Sequence, residues 1–255
     1  MNKRLMRKLL KWFFLIVAGI VIGTIFYEAL LFVRVFRLRG NNPSSTSLID
    51  TRAQQAEAKG QQPRREQQWL PLDRISINLQ RAVLAGEDTN FVYHHGFDYQ
   101  AIQKAWDQAQ REQAKEAKKE GEDDDWLPNI PEFKRGASTI TQQLAKNLYL
   151  SSERSFVRKG QEAIVTLMLE RCLTKRRILE IYLNVIEWGE GIYGAEAAAQ
   201  HYFNKSASAL SPTEAAFLSA MIPNPRTVFN PQINPRRVAR RQRIILRGMP
   251  YVKTP

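Results

Sequence analysis

Two neighbouring acids, Glu87 and Asp88, lie at the predicted end of a helix and are the first residues in the chain that could do chemistry. Leu79, Val83 and Glu87 are spaced by four, so in a helix they share one face. A carboxylate on an apolar face loses part of its water, which raises its affinity for a proton and suits a general base. The alternative is a helix-end acid paired with a nearby basic residue, which would be favoured for an isolated glutamate.

A second polar cluster follows further along the chain and strengthens the case for a site. Ser138 precedes a predicted helix start, where free backbone N–H groups suit a phosphate or a sugar oxygen. Gln143 and Asn147 are four residues apart and could face a polyhydroxylated ligand together, while Lys146 suits a phosphate. Gln142 has a simpler explanation as a helix cap.

A third cluster combines two cations with an acid. Arg158 and Lys159 precede Glu162 by four and three residues, so all three meet on one helix face, and Val165 continues the same line. Glu87 and Glu162 would then lie in contrasting settings, one apolar and one flanked by cations. Such pairs often divide acid, base and electrostatic roles. An ordinary ion pair within one helix is the alternative for Glu162.

The remaining reactive residue types carry weaker signals. Glu187 and Glu190 near a glycine-rich turn could be metal or substrate ligands, although solvated loop acids are favoured. The three histidines lack metal-site spacing, so no metal site is predicted, and His94 is expected to orient the loop after Glu87. The single cysteine, Cys172, excludes an internal disulfide and is expected to be a buried thiol.

The elements that must position these residues are predicted to be helical almost throughout, because no stretch alternates well enough for a strand. Capping boxes mark two helix starts, Thr139 with Gln142 and Ser211 with Glu214. The predicted helices span residues 76–90, 99–116, 139–150, 156–173, 175–186, 195–203, 212–222 and 235–247.

The N-terminal part predicts a membrane anchor. Residues 12–33 form an apolar run of 22 residues, which would span about 33 Å as a helix. Five basic residues precede the run and three follow it closely, so we expect residues 1–11 to stay in the cytoplasm. Residues 34–68 are polar and predict a linker, and residues 69–250 form the folded domain.

The polar clusters occur in the same order along the chain as the motifs of a known protein family. The chain is similar to the peptidoglycan glycosyltransferases of family 51, most closely their monofunctional, membrane-anchored form. The likeness covers about residues 69–249, and five ordered segments make it specific. The segments are EDTNFVYHHGFD from Glu87, GASTITQQLAKN from Gly136, RKGQE from Arg158, ILEIYLN with GEGIYG from Ile178, and SPTEAAFLSAMIPNP from Ser211.

The resemblance implies a mostly α, lysozyme-like domain with two lobes, head and jaw, preceded by one transmembrane helix. It implies that the protein polymerises lipid II into linear glycan strands with inversion and release of the lipid pyrophosphate. Glu87 matches the general base and Glu162 the second essential acid. The matching phosphate-binding positions are Lys146, Arg154, Arg158 and Lys159, and the other substrate-contacting positions are Ser138, Gln142, Gln143 and Asn147.

The expected partners are lipid II, the growing glycan chain and membrane lipid, with room for other cell-wall synthesis proteins. No cofactor is required by the sequence, although a divalent cation, Mg or Mn, would be compatible with it. The expected location is the bacterial inner membrane, crossed once, with the catalytic domain in the periplasm. Within the jaw we expect the acidic run 120–125 to stay in water and Trp126, Leu127, Ile130 and Phe133 to dip toward lipid.

Three other functions compete with this interpretation. A membrane-anchored lysozyme-like hydrolase or lytic transglycosylase also needs a glutamate in an apolar setting, but has no need of cations gathered for a pyrophosphate. A non-catalytic wall-synthesis scaffold would tolerate loss of Glu87. The net charge of +13 and a basic C-terminal helix fit a nucleic-acid binder, but translocation removes that partner. Contact with anionic lipid head groups, or solvation by water, better explains the arginines of this C-terminal helix. They are Arg236, Arg237, Arg240, Arg241, Arg243 and Arg247.

Overall fold

A computed structural model of the chain describes residues 3–120, 138–150 and 155–255. This part of the chain is mostly helical, as predicted. Its α-helices are α1 (Lys3–Arg37), α2 (Ser47–Glu57), α3 (Ile77–Glu87), α4 (Tyr99–Glu120), α5 (Ile140–Tyr149), α6 (Phe156–Cys172), α7 (Lys175–Val185), α8 (Ala195–Phe203), α9 (Pro212–Met221) and α10 (Pro235–Gly248).

Local capping chemistry fixes several helix starts where the sequence predicted them. The Thr139 side chain accepts a hydrogen bond from the N–H of Gln142, whose side chain accepts from the N–H of Thr139. Ser211 and Glu214 form the same reciprocal pair at the start of α9. Each pair satisfies two N–H groups that a helix start leaves without partners, which is why both boxes give correct helix starts.

The core is built by two groups of packed helices. Helix α3 packs against α9 and α10, and α5 packs against α6 and α7. Leu79 and Val83 on the buried face of α3 are fully buried, as their spacing predicted. Cys172 is a buried free thiol, also as predicted. Helix α3, which ends at Glu87, is thereby fixed against α9 and α10.

A small sheet, which the sequence did not predict, joins distant parts of the chain. Its strands β1 (Glu66–Gln67), β2 (Glu187–Gly189) and β3 (Ile192–Tyr193) lie in the order β1-β3-β2. The pair β1–β3 is parallel and the pair β2–β3 antiparallel. Gly194, directly after β3, has a φ of +83°. A Cβ at this position would lie 2.7 Å from the carbonyl oxygen of Asn184. Only glycine fits both conditions.

Helix α1 is longer than the predicted membrane span. Its Leu10–Arg37 part is long and apolar enough to cross a membrane, and most of its large apolar side chains are exposed. The last turns differ, because Leu31 and Val35 are buried in the domain core and α1 contacts α6. Just beyond, the Arg39 side chain donates to the carbonyl of Cys172 at 2.6 Å. The anchor is thus docked onto the domain.

Residues 34–68, which the sequence predicted to be a polar linker, contain elements that pack against the domain. Helix α2 contacts α5, and the Ser47 hydroxyl donates to the carbonyl of Leu150 at 2.8 Å. Strand β1 pairs with β3. The amphipathic signal of α2 is weak, with Ile49 as its buried residue, so composition alone favoured a tether.

Candidate active site

Most of the predicted site residues line one open cavity of about 600 Å³. Helices α3, α5 and α6 supply one part of its wall, and α2, β2 and the loop after α9 supply the rest. The predicted residues that it brings together are Glu87, Ser138, Gln142, Gln143, Lys146, Asn147, Arg158, Lys159 and Glu162. Arg154 and the four apolar jaw residues lie outside the described residues.

Glu87 is the last residue of α3, and its side chain is only 8% exposed. Its Oε2 accepts a hydrogen bond from Gln143 Nε2 at 2.8 Å, and its Oε1 accepts one from the Arg241 guanidinium at 2.7 Å. The same guanidinium nitrogen donates to the carbonyl of Gly86 at 2.8 Å. The carboxylate is therefore fixed from two sides, while each oxygen keeps a further lone pair for a proton.

Opposing effects set the proton affinity of this carboxylate. Burial raises the pKa of Glu87 and is the largest effect, while the charge of Arg241 and the hydrogen bonds from Gln143 and Arg241 lower it. The net direction is upward, which makes Glu87 a stronger base than an exposed glutamate. The environment of Glu87 is therefore apolar, as predicted, but it also contains a charge partner, Arg241, that was not predicted.

Gln143 belongs to a hydrogen-bonded chain that holds Glu87. The Tyr182 hydroxyl donates to Gln143 Oε1 at 2.7 Å, which leaves the amide nitrogen to face Glu87. Burial raises the pKa of Tyr182 well above 10.0, and the negative charge of Glu87 adds to this effect, so the phenol keeps its proton. Gln143 was expected to face sugar beside Asn147, but in the structure it positions the carboxylate.

The start of α5 is tied to the residue after Glu87. Asp88 Oδ2 accepts from the backbone N–H of Ile140 at 3.0 Å, and Asp88 also pairs with His94 Nε2 at 2.9 Å. His94 therefore organises this loop, as predicted. Two N–H groups expected to be free for a phosphate, those of Ile140 and Gln142, are instead bonded to Asp88 and Thr139. Gln142 completes the capping box with Thr139, so the anion-binding groups with the clearest geometry are side chains.

Those side chains gather around Glu162, which is 5% exposed. Arg158 donates to its Oε2 at 2.9 Å, and Lys159 pairs with its Oε1. Lys146 extends into the same cavity and has no salt bridge to any described residue. Partial desolvation by the cavity walls is the largest effect on the pKa of Lys146 and lowers it, while Glu162 acts in the opposite direction.

The charges of the cavity favour an anionic ligand. Five basic and three acidic side chains line it, and each acid already has a cationic partner. Placing Glu87 in the same cavity as Lys146, Arg158 and Lys159 allows proton removal and stabilisation of a departing anion within one site. That is the chemistry of transfer from a phosphate leaving group.

Sequence reasoning missed three residues of the site. Arg241 was expected at head groups or in solvent, yet it pairs with Glu87 across 154 positions of sequence. Arg52 lay in the predicted linker, yet it binds Glu187 Oε2 at 2.9 Å. Glu187 was expected to be a solvated loop acid, but it lies on β2 and is 6% exposed. Glu190 is 69% exposed and pairs with Arg226. No local sequence signal identifies these pairs.

The donor set of the cavity does not resemble a protein-held metal site. Within the described residues, no group of three or more His, Cys, Asp or Glu side chains is arranged to hold a metal ion. The acids that could contribute are already paired with arginine or lysine.

The chain is similar in sequence to known proteins along almost its whole length. The sequence pattern described as Transglycosylase matches residues 53–121 and 127–250. A biosynthetic peptidoglycan transglycosylase of Thiobacillus denitrificans is 46% identical over 250 residues, covering 98% of this chain and 100% of the relative. Proteins of the same name from Aromatoleum aromaticum and Dechloromonas aromatica are 44% and 42% identical, covering 91% and 98% of this chain and 92% and 100% of the relatives.

Proposed function

The chain belongs to the transglycosylase family and is a peptidoglycan glycosyltransferase, and we propose that Glu87 is the base with which it polymerises lipid II into linear glycan strands. Lipid II is a disaccharide peptide joined through a pyrophosphate to a membrane lipid. The observation that carries the proposal is that Glu87 shares one cavity with Lys146, Arg158 and Lys159.

In the proposed reaction, Glu87 takes the proton from the accepting sugar hydroxyl, and that oxygen attacks the anomeric carbon of the growing chain. A new C–O bond forms as the bond from the anomeric carbon to the pyrophosphate oxygen breaks, which inverts the configuration. The lipid pyrophosphate leaves with the bonding electrons. The raised pKa of Glu87, which burial causes, supports its part as the proton acceptor.

The cations on α5 and α6 are suited to the departing pyrophosphate. Lys146 has no salt bridge to any described residue and can meet an oxygen directly, while Arg158 and Lys159 stand beside Glu162. We assign Glu162 the role of holding these two cations, because both of its oxygens are occupied by them. Arg154, which matches a phosphate-binding position of the family, completes the proposed set of cations. Positive charge fixed in this way stabilises the charge that develops on the leaving group.

The proposed glycan contacts are Ser138, Gln142 and Asn147, which line the same cavity. A Mg or Mn ion would reach the site with the pyrophosphate, because the acids of the cavity are already paired. Other cell-wall synthesis proteins are candidate partners.

The membrane anchoring of the chain follows from its apolar N-terminal helix. We propose the bacterial inner membrane, with residues 1–11 in the cytoplasm and the domain in the periplasm, because more basic residues precede the apolar run 12–33 than follow it closely. Phe156 and Val157, at the start of α6, are 99% and 85% exposed. Since α6 also contacts α1, these side chains are suited to contact membrane lipid.

Purified full-length protein in detergent, supplied with radiolabelled lipid II, tests the proposal. The wild type should lengthen the label into linear polymer, and Glu87→Gln should abolish this, because an amide cannot take the proton. Glu162→Gln should weaken it severely, because Arg158 and Lys159 lose their shared anion. Glu57→Gln, at an exposed acid that lines none of the cavities above, is the matched control.

A hydrolase or lytic enzyme would instead shorten finished strands and leave lipid II unused. Full polymerisation by Glu87→Gln would contradict the assignment of the base, whatever the wild type does.

A further inference from the structure

A second cavity, of about 280 Å³, opens beside the first and has no role in the chemistry described above. The two cavities share Arg52, Glu187 and Arg226, so they are direct neighbours. We call the second one the distal cavity. Its remaining lining comes mainly from the end of α2 and the chain that leads from it to β1.

Glu187 lies at the junction of the two cavities. Arg52 holds its Oε2 through two hydrogen bonds, of 3.1 and 2.9 Å. Its Oε1 is buried and has no hydrogen-bond partner among the described residues. A buried carboxylate oxygen without a donor is costly, and the cost is removed when a ligand supplies an N–H or O–H group. Burial also raises the pKa of Glu187, although Arg52 opposes this shift.

Basic side chains outnumber acidic ones around this buried acceptor. Arg52, Lys59, Arg64 and Arg226 line the distal cavity, against Glu187 and Glu190. Three of these cations already have partners, Arg52 with Glu187, Arg64 with Glu66 and Arg226 with Glu190. Lys59 is exposed and has no salt bridge to any described residue. The cavity is therefore suited to a ligand that carries negative charge and also donates hydrogen bonds.

The neutral side chains of the distal cavity narrow the class of ligand further. Three amide side chains line it, those of Gln55, Gln61 and Gln62. An amide side chain both donates and accepts, which matches the alternating N–H and C=O groups of a peptide backbone. A bare glycan would satisfy the Glu187 oxygen through its hydroxyls, but it carries no charge for the surrounding cations.

We propose that the distal cavity binds a carboxylate-bearing peptide branch of the glycan substrate, with Glu187 accepting a hydrogen bond from a peptide N–H. This inference rests on the function proposed above. Lys59 contacts a peptide carboxylate, Arg226 contacts a second one by exchanging it for Glu190, and Arg52 keeps the Glu187 side chain in place. The distal cavity thereby recognises the part of lipid II that takes no part in the bond exchange.

The test compares lipid II with lipid II in which the peptide carboxylates are converted to amides. The pocket variant is Lys59→Gln/Arg226→Gln, which removes two of the cations that line the cavity. The matched control is Arg236→Gln/Arg243→Gln, which removes the same charge from exposed positions of α10 that line none of the cavities above. KM and kcat are measured for each full-length protein with each substrate.

For the wild type and the control, the KM for unmodified lipid II should be about threefold to tenfold lower than the KM for the amidated substrate. The difference is modest because each partly exposed charge pair contributes little. The pocket variant should lose this preference, with the change appearing in KM. A wild type that treats both substrates alike, or a preference that persists in the pocket variant, would overturn the inference and leave the proposed function intact. Failure of the wild type to polymerise either substrate would instead refute the proposed function, because amidation leaves the sugars and the pyrophosphate unchanged.

Discussion

Replacement of Arg241 with glutamine offers the sharpest test of how Glu87 is tuned. A glutamate acts as a base only while it is ionised, and Arg241 opposes the effect of burial on its pKa. Arg241→Gln should therefore raise the pKa of Glu87 further. The rising limb of a plot of kcat/KM against pH then moves to higher pH, and activity lost on that limb returns as the solution becomes more alkaline.

The size of the effect follows from the contact that is removed. A hydrogen bond to a charged group contributes about 1.5–3 kcal/mol, and the lower end applies because the Arg241 side chain is 27% exposed. About 1.5 kcal/mol corresponds to a fall in kcat/KM of about tenfold at a pH on the rising limb. Arg241→Lys should recover part of this, because its charge remains but one ammonium cannot reproduce the guanidinium geometry toward Gly86 and Glu87.

The assay is continuous lipid II polymerisation across pH, with thermal unfolding measured at each pH. Arg240→Gln is the control, because Arg240 is the neighbouring exposed arginine and lines none of the cavities above. A profile for Arg241→Gln that is lowered evenly at every pH would refute the reasoning, since it would mean that Arg241 supports the fold without tuning the base.

Three further outcomes are expected. Tyr182→Phe removes the donor to Gln143 Oε1 and should lower kcat by about tenfold in the polymerisation assay, with an unchanged circular dichroism spectrum. The pKa of Glu214 is lowered to about 2, and the hydrogen bond from Lys205 is the largest cause. The ionised Glu214 side chain therefore stabilises the fold fully above pH 4.5, the ordinary pKa of a glutamate, and this stabilisation is lost as the pH falls toward 2. Glu214→Gln should accordingly lower the melting temperature at pH 7 and leave it unchanged in strong acid. Leu31→Ala should destabilise the domain by about 2 kcal/mol or more in urea unfolding in detergent, because Leu31 is 3% exposed, whereas Leu30→Ala, at a residue 51% exposed, should change stability by less than about 0.5 kcal/mol.

The helices could be predicted from sequence because their signals are local. The predicted helix over residues 195–203 matches α8, and α5 and α9 start at their capping boxes. Strand β1 could not be predicted in the same way, because a strand of two residues has no periodicity. It exists because Glu66 and Gln67 pair with Ile192 and Tyr193, far along the chain.

The site shows the same division between local and distant information. The face shared by Arg158, Lys159 and Glu162 lies within one helix, so their spacing predicted the contacts that the structure contains. The partner of Glu87 depends on how α10 packs against α3, and nothing near Arg241 in sequence distinguishes it from the exposed arginines of the same helix. Spacing predicts neighbours within an element, whereas contacts between elements require the tertiary fold.

The burial of Leu31 and Val35 in the domain has a consequence for how the enzyme meets its substrate. A catalytic domain joined to its anchor by a flexible linker would move through a volume of water above the bilayer. A domain whose core includes the end of its own anchor is held at one height and moves only sideways with that anchor. Capture of a lipid-linked sugar is then a search in two dimensions, and the finished strand, rather than the enzyme, must move away from the membrane surface.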